Sequence, residues 1–427
     1  MSSPYPQGDR EKVASKLPSA LQQELKIRCA ELGLDIQDAV TTAITNWRAS
    51  TSTSLDVDTT GAKSFSTWLP PGLYDQFKDT CTDRGVSYTQ GLAQSIRLWL
   101  DDNPSPRQGG RGAEPRRIIT VNQKGGVGKT AVSLGLAEAY AEDEEAGMAA
   151  LRRYIESLTY NECKRIGRTK KELLDATAEW TLGGKRVLLV DYDPQGHLSD
   201  QLGILQIPPK HDSLVTHMIG EGEGDLRDLV VTIEDPRFQG RLDVLPAAFD
   251  GFLLDSRIAL TAANSRGFQK EAALERALRP LEEYYDVIVI DCPPSLGLAT
   301  DAALYYGRRR RNEKRGRSGV IIPVLAEDSS ATAYMMLVQQ IEDLCKDLGL
   351  EVDYLGLVVN LYDSRRGFVA TSSLDNWNSL EDQRVLAVID DLKEQREAVR
   401  MKQALLSYAP ASKQANAMRM IAMGAAG

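Results

Sequence analysis

At 427 residues, with 42% apolar and 26% charged residues, the chain is long enough for two or more globular domains. A net charge of −9 excludes a uniformly basic surface, so any contact with nucleic acid must come from local patches. Five scattered cysteines (Cys29, Cys81, Cys163, Cys292, Cys345) point to reduced thiols in a cytoplasm, and the histidines lack the cysteine neighbours of a zinc site.

The opening "MSSPYPQGDREK" has no apolar signal core, and residues 1–11 read as a disordered tail. Two related segments follow, 12–50 and 63–104, joined by the Ser/Thr-rich "RASTSTSLDVDTTGA". At an offset of 52, Leu17, Pro18, Leu21, Lys26, Cys29, Gly33, Ile44 and Trp47 match Leu69, Pro70, Leu73, Lys78, Cys81, Gly85, Ile96 and Trp99. Each copy reads as a short alternating strand ending at a proline, a helix closed by glycine, and a second helix capped by Asp35 or Ser87. Such a unit cannot bury its own apolar face, but two copies can. The "Leu-Pro…Gly-x-Ser" skeleton resembles the ribbon-helix-helix family, here as an intramolecular pseudo-dimer. That resemblance implies an outward, DNA-facing strand set of Lys12, Ala14 and Lys16 with Ser64, Ser66 and Trp68. Operator DNA is therefore a possible ligand of Lys12 and Lys16. Against it, residues 1–104 carry ten Lys/Arg and thirteen Asp/Glu, a net charge of −3.

A Pro/Gly-rich linker, 105–115, leads into a region, 116–427, that reads as a doubly wound, mostly parallel α/β sheet. Its expected strands are "RRIITVN", "RVLLVDYD", "LDVLPA", "DVIVIDCP", "GVIIPVLA" and "YLGLVVNLY", unbroken apolar runs of the kind buried on both faces. After the first strand comes "VNQKGGVGKTA". The ordinary phosphate loop needs glycine at 123, where Gln123 stands; what fits is the variant Lys-Gly-Gly-x-Gly-Lys-Thr. Lys124, Gly125, Gly126, Val127, Gly128, Lys129, Thr130 and Ala131 form the expected nucleotide loop. Its backbone N–H groups would meet phosphate oxygens, Lys129 the β/γ-phosphates, and the Thr130 hydroxyl Mg²⁺. Lys124 has no duty within that cradle. Further along, "DYDPQG" supplies Asp191 and Asp193, and "YDVIVIDCPPS" runs into Asp291, the Walker B arrangement for a carboxylate facing Mg²⁺. Asn360 closes a strand where it could bond a base edge, and Pro410 in "SYAPAS" could flank the base.

With "KGGVGKT", "DxDPQG", "IDCPPSLG", "IIPVLAE" and "VVNLYDSR" in this order, the region resembles the partition ATPases of the ParA/MinD group. The resemblance implies an ATP-dependent homodimer with ATP and Mg²⁺ as cofactors. It implies Lys124 as the lysine that touches the partner subunit's ATP, Asp193 as the residue orienting the attacking water, and Asp191 and Asp291 near the metal. It also implies non-specific DNA binding and a centromere-binding partner protein that stimulates hydrolysis.

Two stretches depart from that family pattern. One, near 142–180, carries seven basic residues within "RRYIESLTYNECKRIGRTKK" and reads either as a self-neutralised helical hairpin or as a functional insertion. The other, 307–319, is "GRRRRNEKRGRSG": Arg308, Arg309, Arg310, Arg311, Arg315 and Arg317, with Lys314, face one local acid, Glu313. That loop is the expected phosphate-contacting surface for DNA, with Arg365 and Arg366 of "YDSRRG" as secondary candidates for it. The end, "KQANAMRMIAMGAAG", lacks a basic amphipathic helix, so no membrane partner is expected. The expected function is a cytoplasmic, nucleoid-associated partition ATPase for a plasmid or chromosome. A positioning ATPase for a non-DNA cargo and a nucleotide-regulated repressor are the alternatives.

Overall fold

The computed structural model describes residues 10–32, 34–50, 57, 59, 62–103, 114–179, 182–265, 267–381 and 383–426. Most of the tail expected over 1–11, the capping Gly33 and most of the linker over 105–115 lie outside them; Glu11 already belongs to a strand. The chain divides into two compact units, 1–111 and 112–427.

In the first unit, β1 (Glu11–Leu17) and β2 (Lys63–Leu69) pair antiparallel along their whole length, Lys12 opposite Trp68 and Lys16 opposite Ser64. Each strand is followed by two helices, Ser19–Leu32 and Ile36–Ala49 after β1, Leu73–Asp83 and Tyr88–Asp102 after β2. The period-2 alternation is clean: Val13, Leu17, Phe65, Thr67 and Leu69 are buried, whereas Lys12, Ala14, Lys16, Ser64, Ser66 and Trp68 are exposed. Asp35 and Ser87 cap their helices, accepting from the amides of Gln37 and Gln90 at 2.7 and 3.1 Å. The repeated apolar identities are the core: Leu17, Leu21, Cys29, Ile44 and Trp47 share one buried cluster with Leu69, Leu73, Cys81, Ile96 and Trp99. Two half-cores have become one. Gly91 is required by this closeness, since a Cβ there would lie 2.5 Å from the Cys81 sulfur.

The second unit is a sheet of eight strands among the described residues. They are β3 (Arg116–Thr120), β4 (Val187–Asp191), β5 (Val231–Thr232), β6 (Leu242–Leu245), β7 (Val287–Asp291), β8 (Gly319–Leu325), β9 (Tyr354–Tyr362) and β10 (Val385–Asp390). The spatial order is β10-β9-β8-β3-β7-β4-β6-β5, parallel except for the short antiparallel β5 at the edge. Consecutive residues, such as Ile118 and Ile119 or Leu188 and Leu189, enter opposite core clusters, so both faces are covered. Strands β5 and β10 lie outside the six runs expected from sequence, although "VLAVID" in β10 has the same unbroken apolar signature.

The segment 142–180 is helical and also contributes to the core. Its helices Glu144–Ser157, Tyr160–Ile166 and Lys170–Glu179 place Leu151, Ile155, Cys163, Ile166 and Leu173 in the core on one side of the sheet. The helix Lys413–Ala426 is likewise core, with Met418 filling the space over Gly135, where a Cβ would sit 2.3 Å from it. Buried Arg419 joins this helix to buried Glu142 with bonds of 2.6 and 2.9 Å. Among the described residues no helix is long and apolar enough to cross a membrane.

Candidate functional site

The order of strands decides where the chemistry-bearing residues meet. β3 lies between β8 and β7, and β7 lies beside β4, so the carboxyl ends of β3, β7 and β4 open into one crevice. The loop after β3 turns through Gly126 (φ 74°) and Gly128 (φ 84°), left-handed conformations that glycine adopts without strain. Gly128 then caps the helix Lys129–Ala141, whose first amides face the loop. Added Cβ atoms at Gly125 and Gly126 would meet nothing within 4 Å, so the cradle is open to a ligand.

At the crevice floor, Asp191 and Asp291 are register partners on adjacent strands. Asp291 Oδ1 accepts the Ser133 hydroxyl at 2.8 Å, and the nearby Thr130 hydroxyl, like that of Ser133, favours the charged carboxylate. Asp191 Oδ2 accepts the amide and hydroxyl of Ser199 at 2.8 and 2.6 Å. The remaining oxygens, Asp191 Oδ1 and Asp291 Oδ2, are buried without a protein partner, as is the Thr120 hydroxyl. Burial, with the charge of Asp191, pushes Asp291 up to about 7. Burial outweighs the Ser199 bonds at Asp191 and pushes it up to about 6. Two oxygen donors held side by side beside a threonine hydroxyl fit a hard divalent cation, which takes oxygen ligands. Thr130, Asp191 and Asp291 would hold Mg²⁺ there. Cys292, next along, is buried and kept protonated by its apolar setting and by Asp291.

Lys129 is buried beside these acids, its ammonium donating to the Lys124 carbonyl at 3.0 Å. Burial lowers its pKa, opposed by the charges of Asp291 and Asp193. Asp193 is also buried, and its Oδ1 accepts the Gln195 amide at 2.9 Å. Lys124 faces away from the loop: its ammonium bonds Glu327 and, at 2.5 Å, the Ser329 hydroxyl. Lys124 in turn holds the Glu327 carboxyl below its ordinary range. Sequence reading missed Glu327 and Ser329; no local signal links them to a lysine some two hundred positions earlier. Ser133, one helical turn beyond Lys129, was within reach of a periodicity argument.

Asn360 does not face a free base-edge position here. Its Nδ2 donates to the Val127 carbonyl at 3.1 Å and lies 1.8 Å from where a Gly128 Cβ would be. The Pro410 carbonyl accepts from Arg419 at 2.7 Å, which anchors its segment to Glu142. Glu138, wholly buried on the loop helix and pushed by burial up to about 8, accepts the amides of Leu405 and Leu406. The loop helix and the Pro410 segment are thus tied together.

Most of the arginine run is engaged within the chain. Arg310 is buried and bonds Glu282 and Glu275 at 2.7–2.8 Å; Arg308 bonds Glu275 at 3.0 Å and covers the Tyr305 ring at 3.7 Å. Arg309 pairs with Glu351, and Arg317 donates to the Glu114 carbonyl. The sequence showed one acid in the loop, but the compensating acids come from distant segments. Arg311 and Arg315 are exposed and make no ion pair among the described residues. Arg365 is 86% exposed at its side chain and bonds Asp363.

Comparison with known proteins agrees with this arrangement. A family model described as an AAA domain matches residues 171–352. The sporulation initiation inhibitor protein Soj of Bacillus subtilis is 31% identical over 253 residues, 58% of this chain and 73% of that protein. The chromosome partitioning protein ParA of Myxococcus xanthus is 30% identical over 250 residues, 58% of this chain and 66% of that protein. The structure of Cyanothece McdA in complex with ATP covers 73% of this chain and 97% of its own, with a TM-score of 0.50 at 16% identity, a likeness of fold.

Two predictions follow from the geometry. Because the folded-state pKa values of Asp191 and Asp291 are raised, their contribution to stability is present below pH ~4 and lost as pH rises through 6 and 7. In EDTA, Asp291→Asn is therefore expected to gain on the wild type by on the order of 2–4 kcal/mol between pH 4 and 8. Mg²⁺ should stabilise the wild type and leave the variant unmoved in the same denaturant melts. Arg310→Ala leaves Glu282 buried without its cation, while Glu275 keeps Arg308 and Arg279, and should lower stability by about 3–5 kcal/mol. Arg311→Ala should leave the melt unchanged within about 0.5 kcal/mol.

Proposed function

The chain belongs to the Soj/ParA family of partition ATPases, and from that premise we propose a Mg²⁺-dependent ATPase that dimerises on ATP and segregates DNA. The observation that carries this reading is the crevice itself: an open glycine loop, Lys129 buried behind it, two half-unsatisfied carboxylates beside Thr130, and Asp193 within the same charge field. Bound Mg²⁺ would neutralise charge developing on the β- and γ-phosphate oxygens. Lys129 would exchange the Lys124 carbonyl for phosphate oxygens, a stronger, charge-assisted bond. Asp193, close to the loop but not bonded to Lys129, would orient the attacking water.

Lys124 supports the dimer reading. Its ion pair with Glu327 is partly exposed, 23% and 31% at the two side chains, and such pairs contribute about 0–1 kcal/mol. A phosphate group presented by a second copy carries more charge and would take the ammonium readily. The lysine then stabilises the partner's transferring phosphoryl group as an arginine finger does.

For the DNA contact, the candidates are Arg311 and Arg315, which make no ion pair among the described residues, and Arg365, exposed although paired with Asp363. The paired helices of the first unit support a further reading as a ribbon-helix-helix reader of operator DNA. The exposed strand face carries Lys12 and Lys16 with Trp68 opposite Lys12.

Three measurements test these readings. Lys129→Ala should abolish ATP binding, Lys124→Gln should bind ATP without hydrolysing it, and Asp193→Ala should bind and persist as a dimer. Hydrolysis by Lys124→Gln at the wild-type rate would refute the lysine's role. Replacing Arg311, Arg315 and Arg365 with alanine should weaken ATP-dependent binding to arbitrary DNA and flatten its salt dependence, because fewer counterions are released. An unchanged slope would remove these residues from the interface. Footprinting of the upstream DNA should show protection that a Lys12/Lys16 double alanine variant loses; surviving protection, or none at all, counts against the operator reading.

A further inference from the structure

At the opposite end of the sheet from the nucleotide crevice, the amino ends of β3, β7, β9 and β10 border a cavity of ≈ 1280 Å³. Its walls come from both stretches that depart from the family pattern: Ile166, Gly167 and Arg168 from the first, Lys314 to Arg317 from the second. Six cations face this hollow, Arg116, Arg168, Lys185, Lys314, Arg315 and Arg384, and Arg317 lines it too. Three acids share the lining, but two are engaged elsewhere: Asp286 is clamped by Arg186 at 3.0 Å, and Glu114 pairs with Arg310 at 3.3 Å. Lys185, Lys314 and Arg315 make no ion pair among the described residues.

The simplest account is that these cations cap a helix end, and in part they do. Arg116 and Arg384 donate to the carbonyls of Ala425 and Gly424, the last turn of the helix Lys413–Ala426. Arg168 and Arg317 donate to the carbonyls of Glu172 and Glu114, which leaves the Arg116 Nε buried and without a partner and Lys185, Lys314 and Arg315 unaccounted for. Their mutual repulsion is visible at Arg384, whose pKa falls through burial and then through the charges of Arg168 and Arg116. A like-charged hollow of this kind is stabilised when an anion fills it.

We propose that this cavity is a second anion site, which binds a small polyphosphate of nucleotide size. Three observations select that class. The unmatched cations on the rim suit a ligand carrying several negative charges close together. Tyr354, Leu355 and Leu380 supply an apolar wall on which a planar ring can rest, the mixed lining of a small-molecule site. The cations also line a hollow, which surrounds a compact ligand, and of the three arginines considered for duplex DNA only Arg315 reaches that lining.

The test uses the full chain carrying Lys129→Ala, so that the phosphate loop is disabled. Calorimetric titration with metal-free ATP and, separately, inorganic tripolyphosphate is expected to show one salt-sensitive site per chain. Adding Arg168→Glu and Lys314→Glu should weaken it roughly tenfold or more, since both reverse charge at the rim. The same two substitutions with Lys129 intact should leave MgATP binding at the phosphate loop and the thermal midpoint unchanged, which shows that the fold survives. No binding to the Lys129→Ala chain, or binding indifferent to the two substitutions, overturns the proposal. So does a short duplex DNA that displaces tripolyphosphate and is itself lost with Arg168→Glu and Lys314→Glu, since the cavity would then be a DNA contact.

Discussion

Two carboxylates at the ends of neighbouring parallel strands, Asp191 and Asp291, set the terms for the rest of the second unit. Each has one oxygen bonded by a serine hydroxyl and one buried without a protein partner. Burial disfavours the charged form of both, the charge of Asp191 adds to this at Asp291, and both accordingly sit above the ordinary carboxylate range. The strand order that places β4 beside β7, the glycine loop that leaves the crevice open, and the helix that brings Thr130 and Ser133 over Asp291 all serve that arrangement. A fold that only needed stability would bury apolar side chains there instead.

The two loop lysines divide between this charge centre and the outside. Lys129 is buried within the field of Asp291 and Asp193 and can meet a phosphate of its own chain's ligand. Lys124 sits at the rim, held by Glu327 and Ser329 in a weak, half-exposed pair. A lysine at the rim, loosely held, is suited to being passed to another subunit. Meanwhile Glu138 and Arg419 connect the loop helix to the Pro410 segment through buried bonds. Rearrangement of the loop on binding can therefore be felt at the far wall of the crevice.

Much of this was legible in the sequence, for identifiable reasons. The repeat at an offset of 52 marked the core of the first unit because apolar identities conserved between two copies must meet across the pseudo-dimer. The unbroken runs ending in Asp191 and Asp291 marked central strands because only a doubly covered sheet tolerates them. What could not be read was pairing over long separations. Arg308 to Arg310 read as a cationic loop because their acids, Glu275, Glu282 and Glu351, lie tens of residues away. The segment 142–180 read ambiguously because its apolar positions, Leu151, Ile155, Ile166 and Leu173, are sparse among charges, and only tertiary contact shows that they share one face. The basic hollow at the amino ends of the strands was invisible for the same reason, its cations coming from five separated segments.

The central claim is that each crevice is completed by the Lys124 of a second copy. Mixing two variants that are each inactive, Lys124→Gln and Asp193→Ala, tests it without reference to the DNA or to any partner. In a mixed dimer, the crevice of the Lys124→Gln chain is intact apart from the lysine, which its Asp193→Ala partner still supplies. An equal mixture should recover about a quarter of the wild-type hydrolysis rate, because half the dimers are mixed and each has one complete site. A mixture no more active than the two variants measured apart would contradict the account.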